Sequence, residues 1–202
     1  MILKVCGITN QEDANAATLA GATAIGFNFY PKSPRYIAPE RAAAIVTAEG
    51  VRRIGVFVNE PRERVEEIGR IAALDTTQLH GDESPDDYPA SLAVWKALRV
   101  SPGFDLDRAS RDAWVAEALV LDGRAGQLYG GAGRTFDWTL AAISTRRIIL
   151  AGGLDASNVA RAVALAHPWG VDACSRIESA PGKKDHKKMN QFLQAAKAAL
   201  CS

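Results

Sequence analysis

The stretch Met1-Ile2-Leu3-Lys4-Val5-Cys6-Gly7-Ile8-Thr9 reads as an apolar strand that ends in a cysteine and a glycine, with a helix start directly behind it. Far downstream, Leu119-Val120-Leu121-Asp122-Gly123 repeats the design with an aspartate. Reactive side chains at the carboxyl ends of two apolar strands point to an acid–base pair over one parallel sheet.

Outward from these two strands the chain alternates between β-like and α-like segments. Strands are predicted over 2–6, 24–29, 53–58, 76–79, 92–97, 117–121, 147–150 and 171–174. Thr9-Asn10-Gln11-Glu12 reads as a capping box for a helix over 14–20. Further helices are predicted over 39–48, 61–72, 105–114, 137–144, 155–165 and 183–200, with a short one at 85–88. Helix-sized segments between strands favour parallel crossovers over hairpins. The count of β units predicts a closed (β/α)8 (TIM) barrel as a single catalytic domain over 1–202. An open doubly wound sheet is the alternative.

Composition narrows the class of function. The 202 residues suffice for one well-buried core. A net charge of +1 with no long run of one sign argues against a nucleic-acid partner. No apolar stretch approaches the ~20 residues of a membrane helix, and residues 1–30 lack the blocks of a signal peptide. Cys6, Cys174 and Cys201 form no close pair and no metal-like spacing, which suits free thiols in the cytoplasm. His80, His167 and His186 fall on different elements, so no metal site is predicted.

Barrels place their chemistry at the carboxyl ends of the strands. Reading those positions selects Lys4, Cys6, Asn28, Arg35, His80, Lys96, Asp122, Gly152, Gly153, Cys174 and Ser175. Lys4 and Cys6 share parity and point to one side of their strand, with Leu3 and Val5 toward helices. A lysine inside a barrel needs a partner or a ligand. Cys6 reads either as a small buried hydrophobe or as a thiolate beside a lysine and a helix start. Asp122 reads either as a loop cap or as a general acid in a partly desolvated mouth. His80 is a loop histidine or a ligand contact. Arg35, stiffened by Pro34, is a fork for a planar carboxylate or a surface arginine beside Tyr36. Gly152-Gly153 and Ser175-Arg176 leave adjacent strands, where barrels commonly hold a phosphate, so a phosphorylated small molecule is the expected partner. The glycine-rich loop over 123–136 reads as a flap over the mouth. The run Lys183-Lys184-Asp185-His186-Lys187-Lys188 reads as the solvated start of a helix.

Several stretches then fall together in order. They are Lys4-Val5-Cys6-Gly7-Ile8-Thr9, Gly26-Phe27-Asn28-Phe29-Tyr30, Lys32-Ser33-Pro34-Arg35-Tyr36 and Gly55-Val56-Phe57-Val58-Asn59. Gln78-Leu79-His80-Gly81, Leu121-Asp122, Phe136-Asp137-Trp138, Ala151-Gly152-Gly153-Leu154 and Pro181-Gly182-Lys183-Lys184-Asp185 follow. Through these the chain resembles the phosphoribosylanthranilate isomerases of tryptophan biosynthesis along nearly its whole length. The resemblance implies an Amadori rearrangement of N-(5-phosphoribosyl)anthranilate to 1-(2-carboxyphenylamino)-1-deoxyribulose 5-phosphate, with no metal or organic cofactor. It implies Asp122 as general acid, Cys6 as general base, Arg35 on the anthranilate carboxylate and His80 as a further substrate contact. The loops at Gly152-Gly153 and Ser175-Arg176 become the phosphate cradle, in a monomer or homodimer.

The chain departs from the family at two places. Cys174-Ser175-Arg176 stands where Ser-Ser-Gly is usual, and Arg176 brings a Cβ that disfavours the dihedrals glycine allows. Ala132 stands where the glycine loop often has threonine. A related isomerase of histidine biosynthesis remains the rival, although that family usually carries an aspartate in place of Cys6. A dual-substrate barrel meets the same objection, and a barrel that only binds phosphorylated ligands has no need of both Cys6 and Asp122.

Overall fold

The eight apolar segments pair side by side in chain order, and the last returns to the first to close a parallel barrel. The strands are β1 Ile2–Cys6, β2 Ala24–Asn28, β3 Arg52–Phe57, β4 Thr76–Leu79, β5 Ala93–Val100, β6 Ala118–Gly123, β7 Ile148–Ala151 and β8 Gly170–Ala173. Helices α1 Gln11–Leu19, α2 Pro39–Ala43, α3 Arg62–Ile71, α4 Leu106–Asp112, α5 Thr139–Ala142, α6 Val159–Ala166 and α7 His186–Leu200 alternate with them. A 3-10 turn, Pro85–Asp87, replaces the helix between β4 and β5. This computed structural model describes residues 1–123 and 136–200. The expected flap with Ala132, and Cys201, lie outside the described residues.

Strands covered on both sides become near-continuous apolar runs, and the barrel shows why. Leu3, Val5, Ile25, Phe27, Leu119, Leu121 and Leu150 point outward into one core with the helices. Ile2, Ala24, Ile54, Trp95, Ala97, Val120 and Ile149 fill the interior as a second cluster. Arg53, on the outward side of β3, is buried, and its guanidinium donates to the carbonyls of Ala42, Ile45 and Ala72. It thereby satisfies carbonyls left open where α2 and α3 end and lies 4.8 Å over the Phe27 ring.

Several predicted ends move for local reasons. The cap of α1 is Asn10, whose side chain accepts from the Asp13 amide, while Thr9 turns away and donates to Gly182 O. Helix α2 stops at Ala43 because the Gln11 side chain takes both backbone groups of Val46. An Asx turn at Asp155 delays α6 to Val159. Lys183 and Lys184 do not open a helix. They form strand β10 Lys183–Lys184 of a hairpin with β9 Glu178–Ala180, and α7 starts after Asp185, whose carboxylate accepts from the Lys188 amide.

Closure of the barrel rests on β8 against β1, where Ile2 lies opposite Gly170 and Lys4 opposite Asp172. A methyl group on Gly170 would lie 2.5 Å from Ile2 Cβ and 2.6 Å from Ile2 O. Gly170→Ala is therefore expected to cost about 1–3 kcal/mol through overpacking. Urea unfolding should show a lower midpoint at unchanged slope. An unchanged midpoint would mean that the β1–β8 seam has room to relax.

Candidate active site

Side chains at the carboxyl ends of the strands surround one cavity, which Cys6, His80, Asp122, Asp172 and Cys174 share with Arg35 and the loops after β7 and β8. Lys4 and Cys6 share the inner side of β1, as their parity predicts, and Cys6 lines the cavity. Lys4 is fully buried, and its ammonium donates to Asp172 Oδ2 at 2.8 Å. Burial disfavours the ammonium, but Asp172 and the Cys6 sulfur more than offset that and raise the Lys4 pKa. Asp172 was not legible as a site residue. Burial pushes its carboxyl up to about 7 against the pull of Lys4, helped by Cys6 and Asp122. Its second oxygen, Oδ1, is buried without a hydrogen-bond partner among the described residues. The two ends of this ion pair thus gain unequally from it. The ammonium is drawn upward by Asp172 and Cys6, whereas the carboxyl has Lys4 as its cation and is pushed upward by burial and by Cys6.

Cys6 and Cys174, far apart in sequence, both line the mouth as free cysteines. The Cys174 thiol has Glu178 Oε1 as an acceptor at 4.0 Å. The neighbouring Cys174 thiol, followed by Lys4, draws the Cys6 pKa well below its usual value against the effect of burial. Cys6 and burial push the Cys174 pKa up. The ionised form is thus favoured at Cys6 and the protonated form at Cys174.

Across the mouth, Asp122 ends β6 and His80 follows β4. His80 Nε2 lies 3.3 Å from Asp122 Oδ2, and its Nδ1 lies 3.3 Å from Gln78 Nε2. An amide nitrogen only donates, so His80 Nδ1 accepts from Gln78 and Nε2 is the nitrogen that faces Asp122 as donor.

Arg35 is not a surface arginine. Its side chain is 12% exposed and forks onto Glu178 through Nε at 2.9 Å and Nη2 at 2.7 Å. Lys184 donates to the same carboxylate at 2.7 Å. With its side chain fully buried, Lys184 departs from the solvated run expected there. Burial raises the Glu178 pKa, and the two cations overcome it, so the net shift is downward. Lys96 also departs from expectation. It points outward from β5 and is consumed by Glu83 at 2.6 Å and Gly81 O at 2.9 Å, away from the mouth. Glu178 and Lys184 escaped the sequence reading because the hairpin that carries them did.

After β7, Gly152 and Gly153 take φ of 80° and 70°, which side chains disfavour. After β8, Ser175–Ile177 form a single 3-10 turn. Arg176 has no left-handed φ, so the expected backbone conflict is absent. Its half-exposed guanidinium meets Asp155 Oδ2 at 3.4 Å.

Fold and mouth together define a (β/α)8-barrel enzyme with acid–base groups at the carboxyl ends of its strands. A profile described as N-(5'-phosphoribosyl)anthranilate (PRA) isomerase matches residues 3–195. The N-(5'-phosphoribosyl)anthranilate isomerase of Solibacter usitatus is 74% identical over 99% of both chains, and that of Pseudomonas putida 46% over 97% of both. The crystal structure of phosphoribosyl anthranilate isomerase from Thermotoga maritima superposes with a TM-score of 0.90 at 39% identity, covering 98% of this chain and 100% of that one. A structure of such an isomerase in complex with reduced 1-(o-carboxyphenylamino)-1-deoxyribulose 5-phosphate superposes at 0.86 with 38% identity and the same coverage. The chain belongs to the N-(5'-phosphoribosyl)anthranilate isomerase family, and it is an isomerase of tryptophan biosynthesis.

The Lys4–Asp172 pair has a measurable signature. The folded pKa of Asp172, about 7, lies above its unfolded value of about 4. The folded state therefore binds more protons in that window, and the wild-type contribution to stability falls as pH rises through it. Asp172→Asn removes this term. The stability gap between wild type and variant should shift in the variant's favour from about pH 4 to about pH 7. Urea midpoints across that range check it, and the opposite trend would mean that Lys4 outweighs burial at the carboxylate.

Proposed function

We propose that this mouth performs the isomerisation of N-(5'-phosphoribosyl)anthranilate to 1-(2-carboxyphenylamino)-1-deoxyribulose 5-phosphate with Asp122 as general acid and Cys6 as general base. The supporting observation is that a thiolate and a carboxyl group reach one cavity from β1 and β6, with the loops after β7 and β8 at its rim. In this reading Asp122 delivers its proton to the ribose ring oxygen. The C1–O bond breaks, and the nitrogen lone pair completes an iminium. That cation acidifies the C2 hydrogen, which the Cys6 thiolate removes. The electron pair left behind forms an enolamine, which tautomerises to the aminoketone. The substrate's own nitrogen is the electron sink. Lys4 keeps the base ionised, and the Gln78–His80 relay keeps one oxygen of Asp122 occupied while the other holds the proton.

The same reading gives the binding groups. The phosphate sits between Gly152-Gly153 and Ser175-Arg176, where positive φ at both glycines turns successive amides into a concave anion site. Arg35 reads the anthranilate carboxylate with the part of its guanidinium that Glu178 leaves open, and Glu178 fixes the plane of that fork. His80 contributes to substrate binding from the opposite wall.

Two chemical variants test the pair. Cys6→Ala and Asp122→Asn are each expected to lower single-turnover rates by ~10²–10⁴-fold with substrate affinity largely kept. In wild type the acidic limb of kcat/KM should report the Cys6 thiolate taking a proton, and the basic limb the acid losing one. A variant that keeps near-normal turnover removes its residue from the mechanism.

Arg176 tests the cradle. Its guanidinium is already engaged by Asp155, so the backbone carries the phosphate and Arg176→Gly should keep or gain affinity for inorganic phosphate at two salt concentrations. A clear loss that shrinks at high salt would instead assign the contact to the side chain.

A further inference from the structure

We propose that Cys174 is a positioning residue for the reaction: its thiol donates to the sulfur of Cys6, holding that sulfur charged and aimed into the mouth. The inference deepens the role given to Cys6 above and rests on it. Its starting point is register. Lys4 lies opposite Asp172 and Val5 opposite Ala173, so the next step of the β1–β8 ladder sets Cys6 beside Cys174, with backbones about 5 Å apart. Glycines then confine the two sulfurs. A methyl group on Gly26 would lie 2.9 Å from Cys6 Sγ, and one on Gly7 would lie 3.2 Å from Cys174 Sγ. Both side chains line the same cavity, so the ladder brings the two sulfurs to one place at its mouth.

The surrounding charges set the direction of the proposed bond. Lys4 approaches Cys6 from its own strand, Arg35 from the loop after β2 and Lys184 from β10. Asp172, Asp122 and His80 complete the mouth, and Glu178 lies behind Cys174. Lys184 and Arg35 favour an anion at Cys174 as Lys4 and Lys184 do at Cys6, but Cys174 faces the Glu178 carboxylate at 4.0 Å, which favours its S–H, so Cys174 is the protonated partner. A sulfur anion is large and weakly hydrogen-bonding, and a buried one needs donors as well as charge. Lys4 supplies the charge but is shared with Asp172, and Cys174 supplies a further donor.

The same thiol accommodates the product of proton transfer. When Cys6 removes the C2 hydrogen, the carbon–hydrogen bond breaks, an S–H bond forms on Cys6, and the electron pair stays with the substrate. Cys6 is then neutral, and Cys174 keeps its own proton throughout. Glu178 Oε1, 4.0 Å from Cys174 Sγ, is the alternative acceptor to which that S–H turns. No oxidant and no second base enter the step.

The test uses a Cys201→Ser background so that only Cys6 and Cys174 titrate. Thiolate absorbance against pH gives the Cys6 midpoint directly, whatever its role in turnover. Cys174→Ala is expected to raise that midpoint by about one pH unit, and Cys174→Ser to restore it, because a hydroxyl donates where a methyl cannot. The acidic limb of kcat/KM should follow. The alanine variant should lose roughly tenfold in kcat/KM near pH 6 and stay within about twofold near pH 8.5. Alkylation of the Cys174-containing protein with iodoacetamide, mapped by peptide mass, should label Cys6 first at neutral pH. An alanine midpoint equal to that of the background, equal shifts in alanine and serine, or Cys174 labelled first would each overturn the proposal. A midpoint that moves while the pH–rate profile does not would keep the hydrogen bond and remove Cys6 as the base.

Discussion

A fully buried ammonium inside a parallel barrel is a constraint before it is an asset. Removing Lys4 from water is costly unless anions surround it, and the barrel supplies them from the strand next door and from two residues along its own strand. Asp172 takes the ammonium at 2.8 Å, and Cys6 shares the same field. The seam that closes the barrel is also the seam that charges the mouth, because Lys4 and Asp172 are ladder partners across β1 and β8. The carboxylate remains poorly served, with a raised pKa and one oxygen unpartnered among the described residues. That is expected of a group placed for its neighbours rather than for its own solvation.

A second carboxylate organises the rim. Glu178 collects Arg35 from the loop after β2 and Lys184 from the hairpin after β8. Its charge is thereby spent inside the protein, and the Arg35 fork is held in one plane by a partner that is part of the fold. The hairpin is tied in turn to α1, since the Lys184 amide donates to Asp13 Oδ2 and Thr9 donates to Gly182 O. The walls around Cys6 are therefore made by segments that begin and end the barrel.

The barrel was legible because its signal is local. Strands such as β1 and β6 announce themselves by composition, and parity alone places Lys4 and Cys6 on one face. Asp122, His80 and the paired glycines were found by asking what stands at strand ends. The same question also returned Lys96, whose parity on β5 sends it outward to Glu83. Asp172 was missed although it shares parity with Gly170 and precedes Cys174 by two residues. The demand of Lys4 for a counterion was visible, but the register that answers it was not. Glu178 and Lys184 were hidden more deeply. A two-residue strand made of lysines has no apolar pattern, and the burial of Lys184 is decided by Glu178 across a hairpin turn and by Asp13, which the sequence places far away.

The Lys4–Asp172 pairing spans 168 residues and the contact from Thr9 to Gly182 spans 173. In the order of synthesis, the strand bearing Lys4 and Cys6 is made first, and the counterion of Lys4, the neighbour Cys174 and the closing hairpin are made last. Until β8 is available, β1 has an open edge, the form in which strands pair with other chains, and Lys4 inside that strand is a charge without a partner. That charge disfavours the burial such mispairing would require. A chain stopped short of Asp172 has neither a closed barrel nor a partner for its buried ammonium, so its edge and its charge stay open together. The residue that ties the closing seam thus also keeps the growing chain wet until the last strand arrives.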